Sequence, residues 1–271
     1  MTIDIAQLAF PQVSQEGLRA LSIIANEEPD IAELQRVIAK DPVLAGMLVR
    51  NANSPLYRRS RTITNVPAAI RVLGFKSIRN AVVMATLNAQ SVSSQAGRPI
   101  WEHSLATALA ARVIAERIEP QATDDLEFLG LIHDTGMLVF ANNFPEQYPS
   151  LLEQASAEHR SVNELELETF GLQHGNIMAR FLEQFRLPPR LIDLLVNFHS
   201  HTSLDHLNAT DRRHLLILDL CHYLLASGEA GRHSPYPETI VESLDLLQDQ
   251  LDIDDRLLSE LQKAIDHHIT T

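Results

Sequence analysis

Residues 131–138 read LIHDTGML. His133 and Asp134 stand side by side among Leu131, Ile132, Met137 and Leu138, and burying two ionisable groups in such company is costly unless something pairs with them. A cation is one such partner, so the rest of the chain must supply further ligands. The candidates are His103, inside the Ala-rich run WEHSLATALAARVIAERI, His174, just after FGLQ, and His199, at the end of PPRLIDLLVNFH. Taken alone, each histidine is read as a packing or capping residue. Adjacent helical positions diverge by about 100 degrees, so His133 and Asp134 reach one ion only if it lies over the edge between them. His201, His206, His214, His233, His267 and His268 are read as surface residues.

Outward from this stretch, helical periodicity dominates and no run alternates as a strand would. Asp30 opens DIAELQRVIAK, with Ile31, Leu34, Val37 and Ile38 on one face. Asp41 followed by Pro42 is a capping carboxylate before a first-turn proline, and DPVLAGMLVRNAN then places Leu44, Met47 and Leu48 on one stripe. SPLYRRSRTITNVP reads as an ordered loop, with Asn51, Asn53 and Ser54 as turn and helix-end hydrogen-bonders. AAIRVLGF is a short helix closed by Gly74, and SIRNAVVMATLNAQ is a longer one. SVSSQAGRP, residues 91–99, reads as a linker. Beyond it, helices are expected over WEHSLATALAARVIAERI, DDLEFLGLIHD, LLEQASAEH, SVNELELETF, HGNIMARFLEQF and PPRLIDLLVNFH. Three more are expected after Thr210, interrupted at GEAGRHSPYPE. The expected architecture is all-α, a two-part helical bundle divided into residues 1–95 and 96–271.

Composition narrows the function classes. Apolar residues make up 45% of the 271, as in a globular protein. The single cysteine, Cys221, suits a reducing compartment. The amino terminus lacks the basic start and apolar core of a signal peptide, and no apolar run approaches the roughly 20 residues that cross a bilayer. A cytoplasmic protein with no membrane segment is expected. The net charge of −13 and the 5% aromatic content argue against nucleic acid as partner. Yet from Pro42 to Trp101 there is no Asp or Glu, while Arg50, Arg58, Arg59, Arg61, Arg71, Lys76, Arg79 and Arg98 are all basic. This segment either docks on the acidic remainder or offers an anion-binding face to a nucleotide or an acidic protein. Arg58, Arg59, Arg61 and Arg79 are the candidate contacts.

The order His103, His133-Asp134, His174, His199 resembles the HD superfamily of metal-dependent phosphohydrolases. It is closer still to one branch, the HDOD (HD-related output) domain. The resemblance rests on DPVLAGMLVRNANSPLY and ITNVPAAIRVLGFKSIRN in the first half. In the second it rests on IWEHSLATALAA, LGLIHDTGMLVFANNFPEQY and LQHGNIMARFLEQFRLPPRLIDLLVNFH. It runs from about Phe10 to about His201. The resemblance implies a helical bundle with the metal-type site in the second half. The HD ligands then fall on His103, His133 and Asp134, and the additional histidines of two-metal members on His174 and His199. The superfamily closes its site with a later aspartate; LLILDLCHYLLA instead puts His222 there, with Asp219 one turn earlier.

Two departures bear on catalysis. Active cyclic-dinucleotide phosphodiesterases of the superfamily carry a lysine directly after the glycine of the His-Asp motif, where this chain has Met137. They also carry a Gly-Tyr-Pro motif where this chain reads FHSHTSLDHLN. A thioether cannot stabilise a phosphoryl oxygen as an ammonium does. The resemblance therefore implies a bacterial signal-transduction module that binds a signalling protein or a small nucleotide effector, receiving its signal from a separate chain. The alternative is a phosphohydrolase acting on a nucleotide or phosphodiester, with Asp134 holding one or two divalent ions. Histidine and carboxylate donors suit Fe, Mn or Zn; a vestigial site would hold none.

Overall fold

The computed structural model describes residues 3–26, 28–53, 62–91, 94–183, 189–199, 207–228 and 243–270. Among them the chain forms fourteen α-helices, two short 3-10 turns and no strand, an all-α fold. They group into two compact units, Pro11–Ala89 and a second made of Met1–Phe10 with Gln90–Thr271.

The first unit contains α1 (Gln15–Ile24), α2 (Ile31–Ile38), α3 (Pro42–Ala52) and most of α4 (Val66–Ser91). Each of the first three starts at a side-chain cap that satisfies otherwise orphaned backbone N–H groups. Ser14 Oγ accepts from Gly17 N at 3.0 Å, and Asp30 Oδ1 from Glu33 N at 2.9 Å. Asp41 Oδ1 accepts from both Val43 N and Leu44 N at 3.0 Å. Leu34, Ile38, Leu44 and Leu48 are buried beneath them. Asn53 closes α3 as expected: its Nδ2 donates to Val49 O and Ile63 O, and its Oδ1 accepts from Ile63 N. Gly74 interrupts α4 with φ 73 and ψ 178, a conformation open essentially only to glycine, so two helices meet there. The helix α1 was not foreseen from the sequence. Arg58, Arg59 and Arg61 lie outside the described residues, and Arg79 is half-buried within α4.

The second unit is organised around α5 (Gly97–Ile118), against which α6 (Thr123–Ile132), α7 (Thr135–Asn143), α12 (Ala209–Ser227) and α14 (Asp255–Thr270) pack. Ala110, Ala111 and Ala115 on α5 have no exposed surface, and their small side chains admit neighbouring helices closely. Outside this core, Arg112 pairs with Asp124 and Glu127 at 3.3 and 2.9 Å, joining α5 to α6. The helices α8 (Gln147–Glu158), α9 (Val162–Phe170), α10 (His174–Leu182), α11 (Pro189–His199) and α13 (Leu244–Leu251) complete the unit. Stacked rings fix α7, α8 and α9 to one another: Phe140 lies 5.2 Å from Tyr148 and 4.8 Å from Phe170, centroid to centroid. The first ten residues belong here too, with Ile3 N donating to Phe170 O and Ala9 bonded twice to the Asn143 side chain.

Two readings need correction. The stretch after the His-Asp pair, for which no helix was expected, forms α7; Asp134 stands at its N-cap position but makes no side-chain capping bond. His214, read as a surface residue, is 9% exposed on α12, where burial lowers its pKa despite Glu119 and Asp211 nearby. Among the described residues no helix is long and apolar enough to cross a membrane.

Candidate metal centre

The site forms where α6 stops and α7 starts. His133 caps the end of α6 and Asp134 precedes α7, and their side chains meet, with His133 Nε2 2.9 Å from Asp134 Oδ2. The helix α5 brings in His103, whose Nε2 lies 3.3 Å from that of His133 and 3.6 Å from Asp134 Oδ2. From α12 comes His222, with its Nε2 3.2 Å from that of His133. His174, the first residue of α10, places Nε2 3.7 Å from the other carboxylate oxygen, Asp134 Oδ1. None of the five side chains is more than 4% exposed. His199 does end α11, but its side chain lies outside the described residues.

A close approach of backbones holds this arrangement. At Gly136, a Cβ would land on the His174 carbonyl group, so only glycine lets the start of α7 lie directly against the start of α10. That contact brings Asp134 and His174 together across two helix ends.

The donor chemistry fits a metal ion. His133 Nδ1 lies 2.7 Å from Gly130 O, which only accepts, so Nδ1 carries a proton and Nε2 is the nitrogen left to offer a lone pair to an ion. That nitrogen faces a carboxylate oxygen at 2.9 Å and two further imidazole nitrogens, a gathering of acceptor-capable atoms that a proton or a cation between them would satisfy. A tetrahedral ion with bonds of about 2.0–2.1 Å has ligand atoms about 3.3 Å apart, close to the separations between the imidazoles. Burial, reinforced by His133, pushes the His103 pKa down to about 3 against the pull of Asp134. At neutral pH His103 is therefore uncharged, the form that binds metal.

Behind His174 stands a pair that sequence reading missed. Glu166, with no exposed surface, accepts from His174 Nδ1 at 2.8 Å, from His174 N at 2.7 Å and from the Tyr148 hydroxyl at 2.6 Å. Burial alone would lower the His174 pKa, but the Glu166 carboxylate, helped by Asp134, outweighs it and the net shift is upward. Burial and Glu166 together raise the Tyr148 pKa well above its usual value, keeping the hydroxyl a donor. A signal for Glu166 does exist in the sequence. It falls in the buried stripe Val162, Leu165, Glu166, Phe170 of α9, whereas Glu164 and Glu168 point outward.

The family model of the HDOD domain matches residues 10–201. The chain belongs to the HDOD family. A relative in Treponema pallidum (strain Nichols), named "Uncharacterized protein", is 23% identical over 193 residues, which is 70% of this HDOD chain and 37% of that protein. The chain thus spans well under half the length of this curated relative. Among solved structures, a Shewanella amazonensis SB2B protein named "Putative phosphohydrolase" superposes with a TM-score of 0.69 at 17% identity, covering 98% of this chain and 94% of the other. A Marinobacter aquaeolei VT8 protein named "Putative signal transduction protein" gives 0.67 at 21%, covering 97% of this chain and 60% of the other. At such identities the likeness is one of fold.

Proposed function

We propose that this HDOD chain is a regulatory module whose buried transition-metal centre braces the helices of its second unit, and that it acts by binding a signalling protein or a small nucleotide effector in the cytoplasm of a bacterium. His103, His133 and His222 with Asp134 would hold the ion, and His174 and His199 are the further candidates. The donor set of imidazoles and a carboxylate favours Fe, Mn or Zn. The observation that carries the reading is the donor count: His103, His133, His222 and Asp134 converge as four protein donors, the number that closes a structural metal site, whereas catalytic sites keep one position for water or substrate. Met137, 1% exposed in α7, adds no charge with which to hold a phosphoryl group. The basic, acid-free segment from Pro42 to Trp101 is the proposed contact surface, with Arg58, Arg59, Arg61 and Arg79 as its candidate residues.

The second reading is a metal-dependent phosphohydrolase acting on a nucleotide or phosphodiester. The arrangement of Glu166, His174 and Asp134 favours it, because a carboxylate-oriented imidazole beside the centre is placed to take or hold a proton. A bound divalent ion would supply acidity to a water, lowering its pKa to about 7. Metal-replete protein offered a panel of mononucleotides, cyclic dinucleotides and a chromogenic phosphodiester separates the two. The regulatory reading expects a nucleotide to raise the melting temperature without being consumed. Turnover that disappears in His133→Ala would replace it with the enzymatic one.

A further inference from the structure

We propose that Glu166 is the positioning residue of the metal centre: it fixes the His174 ring and thereby recruits the second oxygen of Asp134 into the site. The proposal rests on the metal-binding reading above and concerns what makes His174 part of it.

A carboxylate without exposed surface is costly unless its oxygens are matched. Glu166 matches both: Oε1 receives the Tyr148 hydroxyl, and Oε2 receives His174 N and Nδ1. Because Oε2 already accepts from a backbone N–H, it acts as acceptor towards the ring as well, and Nδ1 must carry the proton. With Nδ1 committed, ring rotation is restricted and Nε2 is held towards Asp134 Oδ1. The 3.7 Å between them is too long for a direct hydrogen bond and suits a shared atom between the two. Asp134 meanwhile turns Oδ2 to His133 and His103. One carboxylate therefore serves two flanks, and Glu166 builds the second. Tyr148 is placed by the ring stack of α7, α8 and α9, so the positioning group is itself rigidly seated. Carboxylates that orient ligating histidines raise ligand basicity as well as fixing the tautomer.

The test is a double-mutant cycle read as zinc affinity, measured by chelator competition on tag-free protein. Glu166→Gln is expected to weaken zinc about 10- to 100-fold. In a His174→Ala background the same substitution should produce no further loss, since Glu166 acts through that ring. Equal losses in both backgrounds would mean that Glu166 serves the fold generally, and would overturn the proposal; so would no loss in either. Should Glu166→Gln fail to fold, Tyr148→Phe decides in its place: a smaller loss that vanishes in His174→Ala supports the proposal, and one that persists sinks it. Zinc that is lost in His103→Ala but indifferent to Glu166→Gln removes this inference alone. A wild type that binds no zinc removes the metal reading with it.

Discussion

At residue 136 a single methyl group is enough to separate the two halves of the site. The Cβ of Gly136→Ala would meet the His174 carbonyl, which is backbone and cannot swing aside. Such overpacking costs about 1–3 kcal/mol or more, so the variant is expected to unfold at distinctly lower urea than wild type; an unchanged midpoint would mean that α7 and α10 are not in this contact. His103 makes a second prediction. Its pKa falls from an ordinary 6.5 to about 3, so between those values the unfolded chain binds a proton that the folded chain refuses. Stability of the metal-free protein should therefore decline as pH drops from about 6.5 towards 3, and His103→Gln should flatten that decline. Denaturant midpoints across this range read it directly; parallel pH profiles would contradict it. His103, His133, Asp134, His174 and His222 could be singled out from the order of motifs. Glu166 could not, because five other acids or polar residues surround it in SVNELELETF and the eye takes the whole run for a solvated face. Only the 3.6-residue spacing from Val162 to Phe170 separates it from Glu164 and Glu168.

At the scale of elements, legibility followed the strength of local signals. The starts of α2 and α3 were readable because Asp30 and Asp41 are side-chain caps, and both make the expected bonds. Asp41 does more, since its Oδ2 also accepts from Ser14 Oγ at 2.6 Å, linking the caps of α1 and α3. Asp41→Ala is expected to cost about 0.5–2 kcal/mol, measured by thermal or urea unfolding. Ser14→Ala in that background should then cost less than it does alone. Fully additive losses would show that the two caps act independently. The boundary between α6 and α7 was hidden for the opposite reason: Asp134 stands at the cap position but makes no capping bond, and no proline marks the break between His133 and Asp134. Functional geometry and an unmarked helix break coincide here, as expected where a local rule yields to a site.

For the whole molecule, the all-α architecture was plain from periodicity, while the burial of the centre was not, because no sequence pattern reports which histidines converge. Convergence draws on α5, α6, α7, α10 and α12, and the side chains it gathers run from His103 to His222 along the chain. A metal bound there binds the folded state and not the unfolded chain, so it should stabilise by mass action, by about 2.7 kcal/mol at a hundredfold excess over Kd. Zinc, iron or manganese should accordingly raise the melting temperature in a concentration-dependent way, and a chelator should reverse it; a melting curve blind to both would speak against a folded-state site. The most direct measurement is elemental analysis of tag-free protein purified without added metal, wild type beside a His103→Ala, His133→Ala double variant. The account predicts a stoichiometric transition metal in the wild type that is missing from the folded variant, whereas a folded, metal-free wild type, or equal metal in both, would contradict it.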